Sequence, residues 1–247
     1  MIQVIERVEK ILGYLSENRD REVPLTEIAD RLGINRGTCV NILKSLRELG
    51  LVEQADYRKG YVLGGRLYAL AGRKSDSAGM VRLLRPGIDA LCAEMNENVM
   101  LAVIRNDKRI LLYDAKAVGH QIEAKLIPDM KAWQATTARV IIARYGKEKL
   151  ERFLKLAGLP GKDWPEASDR AHLLAKLEEY RSRDCVTVLN EHFACLAAPV
   201  FKNGEAVASI GFYLPDIRLT PKSRVLLEKG LIETSRAASR HLDEAAE

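Results

Sequence analysis

Arg36, Gly37, Thr38, Asn41 and Lys44 gather on one side of a short helical stretch that carries no acid until Glu48. Their types suit the major groove of DNA. Asn can pair with the N6 and N7 edge of adenine, a Thr methyl can touch a thymine methyl, and Arg or Lys can reach guanine or phosphate. Gly37 lets a backbone approach closely, and the helix cost of about 1 kcal/mol for glycine asks for a contact or packing demand that offsets it. At 100° per residue, Cys39, Ile42, Leu43, Leu46 and Leu49 fall within about 120° of arc on the other side, the width of a core-facing stripe. A second cluster, Cys185, His192 and Cys195, invites a metal or nucleophile reading, with a fourth ligand imported from His120 or an acid. Its spacing matches no compact metal motif, and Cys195 before the apolar run LAAPV reads as a buried, inert thiol. The chain holds no GxSxG, Walker loop, dinucleotide fingerprint or HExxH, so no cofactor and no metal are called for.

The elements that must position the first cluster are legible. VIERVEKILGYLSEN spaces Ile5, Val8, Leu12 and Leu15 as one amphipathic helix. Thr26 is the expected cap of a second, short helix carrying Ile28, Ala29 and Leu32 and stopping at Gly33. Asn35 then offers its side-chain oxygen to the open N–H groups of a third helix. Two short helices around a tight glycine turn predict a helix-turn-helix. Behind it, Leu51 to Gln54 and Tyr61 to Leu63 are β-prone runs joined by a basic turn containing Arg58 and Lys59, which reads as a wing.

The low-apolar segment Ala71 to Gly79 marks a domain boundary, with GRLYALA before it as a short linker helix. The predicted organisation is a winged helix-turn-helix over 1–66, a linker helix and connection over 67–79, and a second domain over 80–247. In that second domain a helix is expected around Pro86, interrupted or kinked there, followed by strands VMLAVIR and RILLYDA around Asn106-Asp107. Helical regions follow over Gln134 to Leu156 and Ser168 to Arg183. FACLAAPVF and AVASIGFYL flank Asn203-Gly204, a strong hairpin signal. Thr220 and Pro221 open a final helix as N-cap and first helical residue. Strands with helices packed on them make an α+β layer architecture.

Composition sets the bounds. The chain has 247 residues, 47% of them hydrophobic, and a net charge of +5, which permits a nucleic-acid partner without requiring one. The charge is uneven: Tyr57 to Ser75 holds Arg58, Lys59, Arg66, Arg73 and Lys74 and no acid. Four scattered cysteines without a CxxC pair or secretory pattern point to reduced thiols and a cytoplasmic setting. No apolar run approaches the roughly 20 residues of a membrane span, so no membrane partner is expected.

The chain resembles the IclR family of bacterial transcriptional regulators. The resemblance rests on LTEIADRLGINRGTCVNILKSLRELGLVEQ and YVLGGRLYALA in the first domain. In the second it rests on TTARVIIARY and LNEHFACLAAPVFKNGEAVASIGFYLPDIRLT. It implies a winged helix-turn-helix, a linker helix and a GAF-like (profilin-like) α+β effector domain, assembled as a homodimer or homotetramer on a double-stranded DNA operator. It also implies a small-molecule effector in a pocket lined by Thr136 and Thr137, Asn190 and Glu191, Cys195, and Gly211 and Tyr213; the ligand itself does not carry over, and the residues here suit a small organic acid or aromatic metabolite. The chemistry is compatible: open N–H groups at a helix start beside two hydroxyls suit a carboxylate. Strand alternation puts Gly211 and Tyr213 on one face, and Tyr213 with Trp133 favours a flat ligand. Departures are Asn41 where the family usually has a basic residue, Trp133 and Ala138-Arg139 where it tends to His and Gly-Lys, and Leu214-Pro215 for Gly-Pro. Two other classes fit the residues alone: a winged-helix protein-interaction module, and a Cys- or metal-dependent enzyme in the second domain.

Overall fold

The computed structural model describes residues 2–18, 21–54, 60–71, 76–120, 122, 127 and 129–245. The chain divides into two compact units, Met1–Ser75 and Asp76–Glu247. The first holds helices α1 (Gln3–Glu17), α2 (Leu25–Leu32) and α3 (Arg36–Glu48), strands β1 (Val52–Glu53) and β2 (Val62–Leu63), and helix α4 (Arg66–Ala71). Ile11, Leu15, Val23, Ile28, Ile34, Cys39, Leu43, Leu46 and Val52 form its core. The tight turn between α2 and α3 works because Gly33 takes the left-handed conformation, φ 61°, and its N–H closes on Ala29 and Asp30. Asn35 caps α3, its side chain accepting from the Gly37 N–H at 2.9 Å. The cap expected of Thr26 is not made: α2 begins at Leu25 with Pro24 in the cap position, and Thr26 lies inside the first turn. Proline at the entry presets an extended backbone, so the helix starts one residue before any hydroxyl could cap it.

β1 and β2 pair antiparallel, Val52 with Leu63 and Glu53 with Val62, and Val23 bridges Tyr61, so the ladder extends back to the segment before α2. Leu49 departs from its expected place in the core stripe. It is 56% exposed, because it caps the C-terminus of α3 at the edge of the stripe and lines an open groove there.

The second unit is built on a six-stranded antiparallel sheet of order β5-β4-β3-β8-β7-β6. Its strands are β3 (Val99–Arg105), β4 (Lys108–Ala115), β5 (Asp129–Lys131), β6 (Val186–Leu189), β7 (Phe193–Lys202) and β8 (Glu205–Pro215). Period-two alternation gives the sheet two working faces. Val99, Leu101, Leu196, Ala198, Ile210 and Phe212 pack against α5 (Asp76–Met95) and α9 (Pro221–Glu244). The other face turns Ala197 and Gly211 toward α6 (Thr136–Ile142), behind which α7 (Lys147–Ala157) and α8 (Arg170–Arg181) complete a layer around Trp133, Phe153 and Trp164.

Local signals explain most boundaries. Asn203 and Gly204 both take positive φ, 51° and 76°, the geometry of a two-residue hairpin turn. Thr220 and Ser223 form a reciprocal capping box with Pro221 in the first turn. Pro86 does not interrupt α5, which runs through it. The helical stretch expected from Gln134 splits in two: α6 ends at Ile142, and α7 restarts after Gly146.

Gly211 sets how closely α6 approaches. A Cβ there would lie 2.6 Å from the Leu196 carbonyl oxygen and 3.0 Å from Thr137 Cγ2. Replacing it with alanine is therefore expected to cost about 2 kcal/mol or more, read from the urea denaturation of Trp133 and Trp164 fluorescence. Gly13, exposed within α1 with open space at its Cβ position, behaves oppositely. Gly13→Ala is expected to stabilise by about 0.5–1 kcal/mol, followed by far-ultraviolet circular dichroism.

Candidate nucleic-acid interface and ligand cavity

In the first unit, Arg36, Gly37, Asn41 and Lys44 are exposed on α3 and Thr38 is half-buried. The stripe beneath them is closed, with Cys39 and Leu43 fully buried. Arg36 lies 3.6 Å from Asp30 and Arg47 donates to Gln54 at 3.2 Å, both in exposed contacts that bind weakly and leave the guanidinium groups available. Thr38 and Asn41 stand on the rim of a groove of about 470 Å³ whose far wall is Val4 and Val8 of α1. At Gly37 the nearest atom to an added Cβ is the capping Asn35 Oδ1, at 3.3 Å. The glycine thus has a local reason, protection of the cap, in addition to any close approach by a partner. Arg58 and Lys59 lie outside the described residues.

In the second unit a cavity of about 450 Å³ opens on the α6 face of the sheet. Of the residues expected there, Thr136, Thr137, Asn190, Cys195 and Tyr213 line it together; Glu191 and Gly211 do not. Gly211 instead lies beneath α6, where it permits the helix's approach. Glu191 is exposed in the turn before β7. Trp133 packs in the helical layer against Phe153, with its Nε1 donating to the Gly158 carbonyl at 3.0 Å, and leaves the flat wall to Tyr213 and Phe193. Tyr213 Oη donates to Asp114 Oδ1 at 2.9 Å, which fixes the phenol at the wall. Thr137 is 1% exposed, and its Oγ1 has no hydrogen-bond partner among the described residues.

Two cavity residues carry charge that sequence spacing did not place there. Arg109 of β4 is 2% exposed and donates from Nη2 to the Ile127 carbonyl at 2.5 Å. Arg139 of α6 is 8% exposed. A β-bulge where β4 passes Leu101 and Ala102 breaks the alternation of KRILLYDA, a shift the letters do not announce. Ile122 and Ile127 add apolar surface from the connection between β4 and β5. Arg218 helps fix that connection. It pairs with the nearly buried Glu97 through two 2.7 Å contacts and donates to the Ile122 carbonyl at 2.7 Å.

Burial pushes the Cys195 thiol up to about 11, although the Thr136 hydroxyl and the charges of Arg109 and Arg139 act in the opposite direction. Burial raises Cys185 further, to about 12. Among the described residues no three His, Cys, Asp or Glu side chains gather as a metal site, and no helix is long and apolar enough to cross a membrane.

The capped helix α3 with its acid-free outer face, the paired strands β1 and β2 after it and a separate α+β unit enclosing a mixed cavity define a DNA-binding regulator with a ligand-binding domain. Residues 4–56 match the IclR helix-turn-helix domain, and residues 73–240 match the bacterial transcriptional regulator IclR C-terminal domain. The chain belongs to the IclR family of transcriptional regulators. It is similar to the transcriptional repressor IclR of Escherichia coli, 23% identical over 226 residues covering 89% of this chain and 82% of that protein. The HTH-type transcriptional regulator TtgV of Pseudomonas putida is 26% identical over 99% of this chain and 93% of its own. Among solved structures, an IclR homolog from Microbacterium hydrocarbonoxydans complexed with 4-hydroxybenzoate shares the fold, with a TM-score of 0.67 and 20% identity over 97% of this chain and 98% of that one.

A protonated, enclosed thiol reacts slowly. At pH 8 only about a thousandth of a thiol titrating near 11 is thiolate, so iodoacetamide labelling of Cys195, read by peptide mass spectrometry, is expected to be slow. The rate should climb about tenfold per pH unit and jump when the chain is unfolded. Rapid labelling at pH 7 would contradict the enclosed site.

Proposed function

We propose that this regulator reads its operator with the outer face of α3 and answers to a small organic acid or aromatic metabolite held in the cavity of the second unit. Arg36, Thr38, Asn41 and Lys44 face the major groove, Gly37 allows close approach, and Arg58 and Lys59 meet phosphate or the minor groove. The observation that carries the reading is an exposed, acid-free helix face in the same chain as a cavity of about 450 Å³ with hydroxyl, cationic and aromatic walls. That volume suits a compact metabolite. The 4-hydroxybenzoate bound by one structural neighbour is compact and flat enough to fit within such a space.

The working parts divide as 1–66 for DNA, 67–79 for the linker, and 80–247 for the effector. Two reading heads in a homodimer or homotetramer would face a pseudo-palindromic site with half-sites at multiples of about one helical turn. The effector acts by binding one arrangement of those heads better than another. Like the transcriptional regulators it is similar to, the protein would work as a sensor in the cytoplasm rather than as an enzyme.

Lys44→Ala and Asn41→Ala separate the two kinds of DNA contact. Loss of a phosphate contact at Lys44 is expected to weaken binding to all duplexes alike and to lower the salt slope by about 1, measured by fluorescence anisotropy. Asn41→Ala is expected to relax base preference at one position of the site, at a cost of about 1–3 kcal/mol on the preferred base. Selection from a randomised duplex library checks this, and an unchanged preference removes Asn41 from the reading set.

A further inference from the structure

Arg139 is a buried cation whose partners carry no charge. Its Nε donates to the Trp133 carbonyl at 2.7 Å, its Nη2 donates to the Asp163 carbonyl at 3.2 Å, and its guanidinium lies 4.3 Å from the centre of the Trp164 ring. Carbonyl dipoles, an aromatic face and the Tyr180 side chain hold the group in place, and Glu166 attracts it electrostatically, but burial outweighs them and holds its pKa below the ordinary arginine value. Among the described residues no carboxylate pairs with it directly; Glu166, which attracts it electrostatically, pairs with Lys176 at 3.5 Å. The nearby Asp163 carboxylate is occupied by Lys131 at 3.2 Å and by Gln134 at 2.9 Å. Lysine in such a place sheds its proton readily, whereas a guanidinium stays charged.

The charge borders a space with something to receive it. Arg139 and Thr137 line the same cavity, and no Asp or Glu appears among its described lining residues. Among the described residues the Thr137 hydroxyl is an unpartnered donor there, in a position where nearly every buried polar group finds a partner. Arg109 adds a second guanidinium to the wall. Gln134, Asn190 and His192 add neutral polar groups and an imidazole to the lining, and Met100, Met130, Ile122, Ile127 and Phe193 supply its apolar surface. One oxyanion and one apolar body complete this arrangement.

We infer that Arg139 makes the cavity selective for charge: its occupant is a carboxylate-bearing organic anion, and Arg139 is the residue that rejects a neutral molecule of the same shape. This rests on the cavity being the effector site. The carboxylate accepts from the Thr137 hydroxyl while the guanidinium supplies the opposite charge in a setting where water screens little. The apolar body lies against the methionines and Phe193. Selection by Arg139 differs from selection by shape, because an amide fills the same volume as the acid.

The test uses matched pairs, 4-hydroxybenzoate against 4-hydroxybenzamide and phenylacetate against phenylacetamide, titrated into the full-length protein by calorimetry. At least one acid is expected to bind the wild type about tenfold or more tighter than its amide, a factor worth about 1.4 kcal/mol. Arg139→Met should bring that ratio to about one, and Arg139→Lys should retain part of it at the lower end of the pH range. Thr137→Val, nearly isosteric, should weaken the acid more than the amide and keeps the test open if Arg139→Met does not fold. A purely structural Arg139 would lower both affinities and leave the ratio alone. Equal binding of acid and amide to the wild type, or a ratio that survives Arg139→Met, overturns the inference while leaving the cavity as the effector site. Failure of every probe to bind overturns both.

Discussion

Because Gly211 has no side chain, α6 can sit close against the sheet, and the ligand cavity depends on that seat. Gly211 pairs across the ladder with Met100 on one side and Ala197 on the other, and the next row on the same face is Ala102, Ser209 and Pro199. Small side chains in adjacent rows let the helix settle until Thr137 touches the strand. Thr136, Thr137 and Arg139 then reach the cavity edge together, with Cys195 and Tyr213 presented from the strands beneath. The opposite face of the sheet, filled by Leu, Ile, Val and Phe against α5 and α9, supplies the rigidity that keeps the seat in place. A pocket built on strands and a short helix holds its polar groups in fixed positions, which is what discrimination among small ligands requires.

The reading head follows the same logic on a smaller scale. Gly33 turns the chain, Asn35 caps α3, and four buried residues hold the inner stripe, so the outer face needs to do nothing for stability. Residues with no structural duty are available for recognition. Each unit has its own core. A ligand in one can alter the work of the other only by binding one global arrangement better than its alternatives.

Much of this was legible in the sequence, for identifiable reasons. Caps and turns are local, so Asn35, Gly33, Asn203-Gly204 and Thr220-Pro221 announced themselves, and so did the alternation of β7 and β8. The first departures were also local: Pro24 opened α2 where Thr26 was expected, and Leu49 fell at the uncovered end of its stripe. The cavity was harder to read, because its lining comes from segments far apart in the chain. Arg109 looks like a surface residue beside Lys108 until the bulge in β4 and the connection after it enclose the side chain. Arg139 lies within an otherwise apolar helix, TTARVII, and that isolated charge was the available signal. The family resemblance puts Gly211 at the cavity wall, and strand alternation gives its face but not its depth; α6 covers it. The resemblance to the IclR family gave the general location of the site, and only the packing separates a residue that lines it from one that seats a helix.

In the proposed function, one chain joins DNA reading by α3 to occupancy of this cavity. The most direct test of that coupling fills the cavity from the edge strand with Val188→Trp and compares this variant with wild type on a duplex enriched by the wild type from a random library. Anisotropy titrations would be run with and without the tightest-binding acid. Both proteins are expected to bind the duplex with the same affinity and salt slope, and the acid is expected to shift only the wild type. An equal shift in Val188→Trp would place the effector elsewhere, and failure of the wild type to enrich any duplex would remove α3 from DNA recognition.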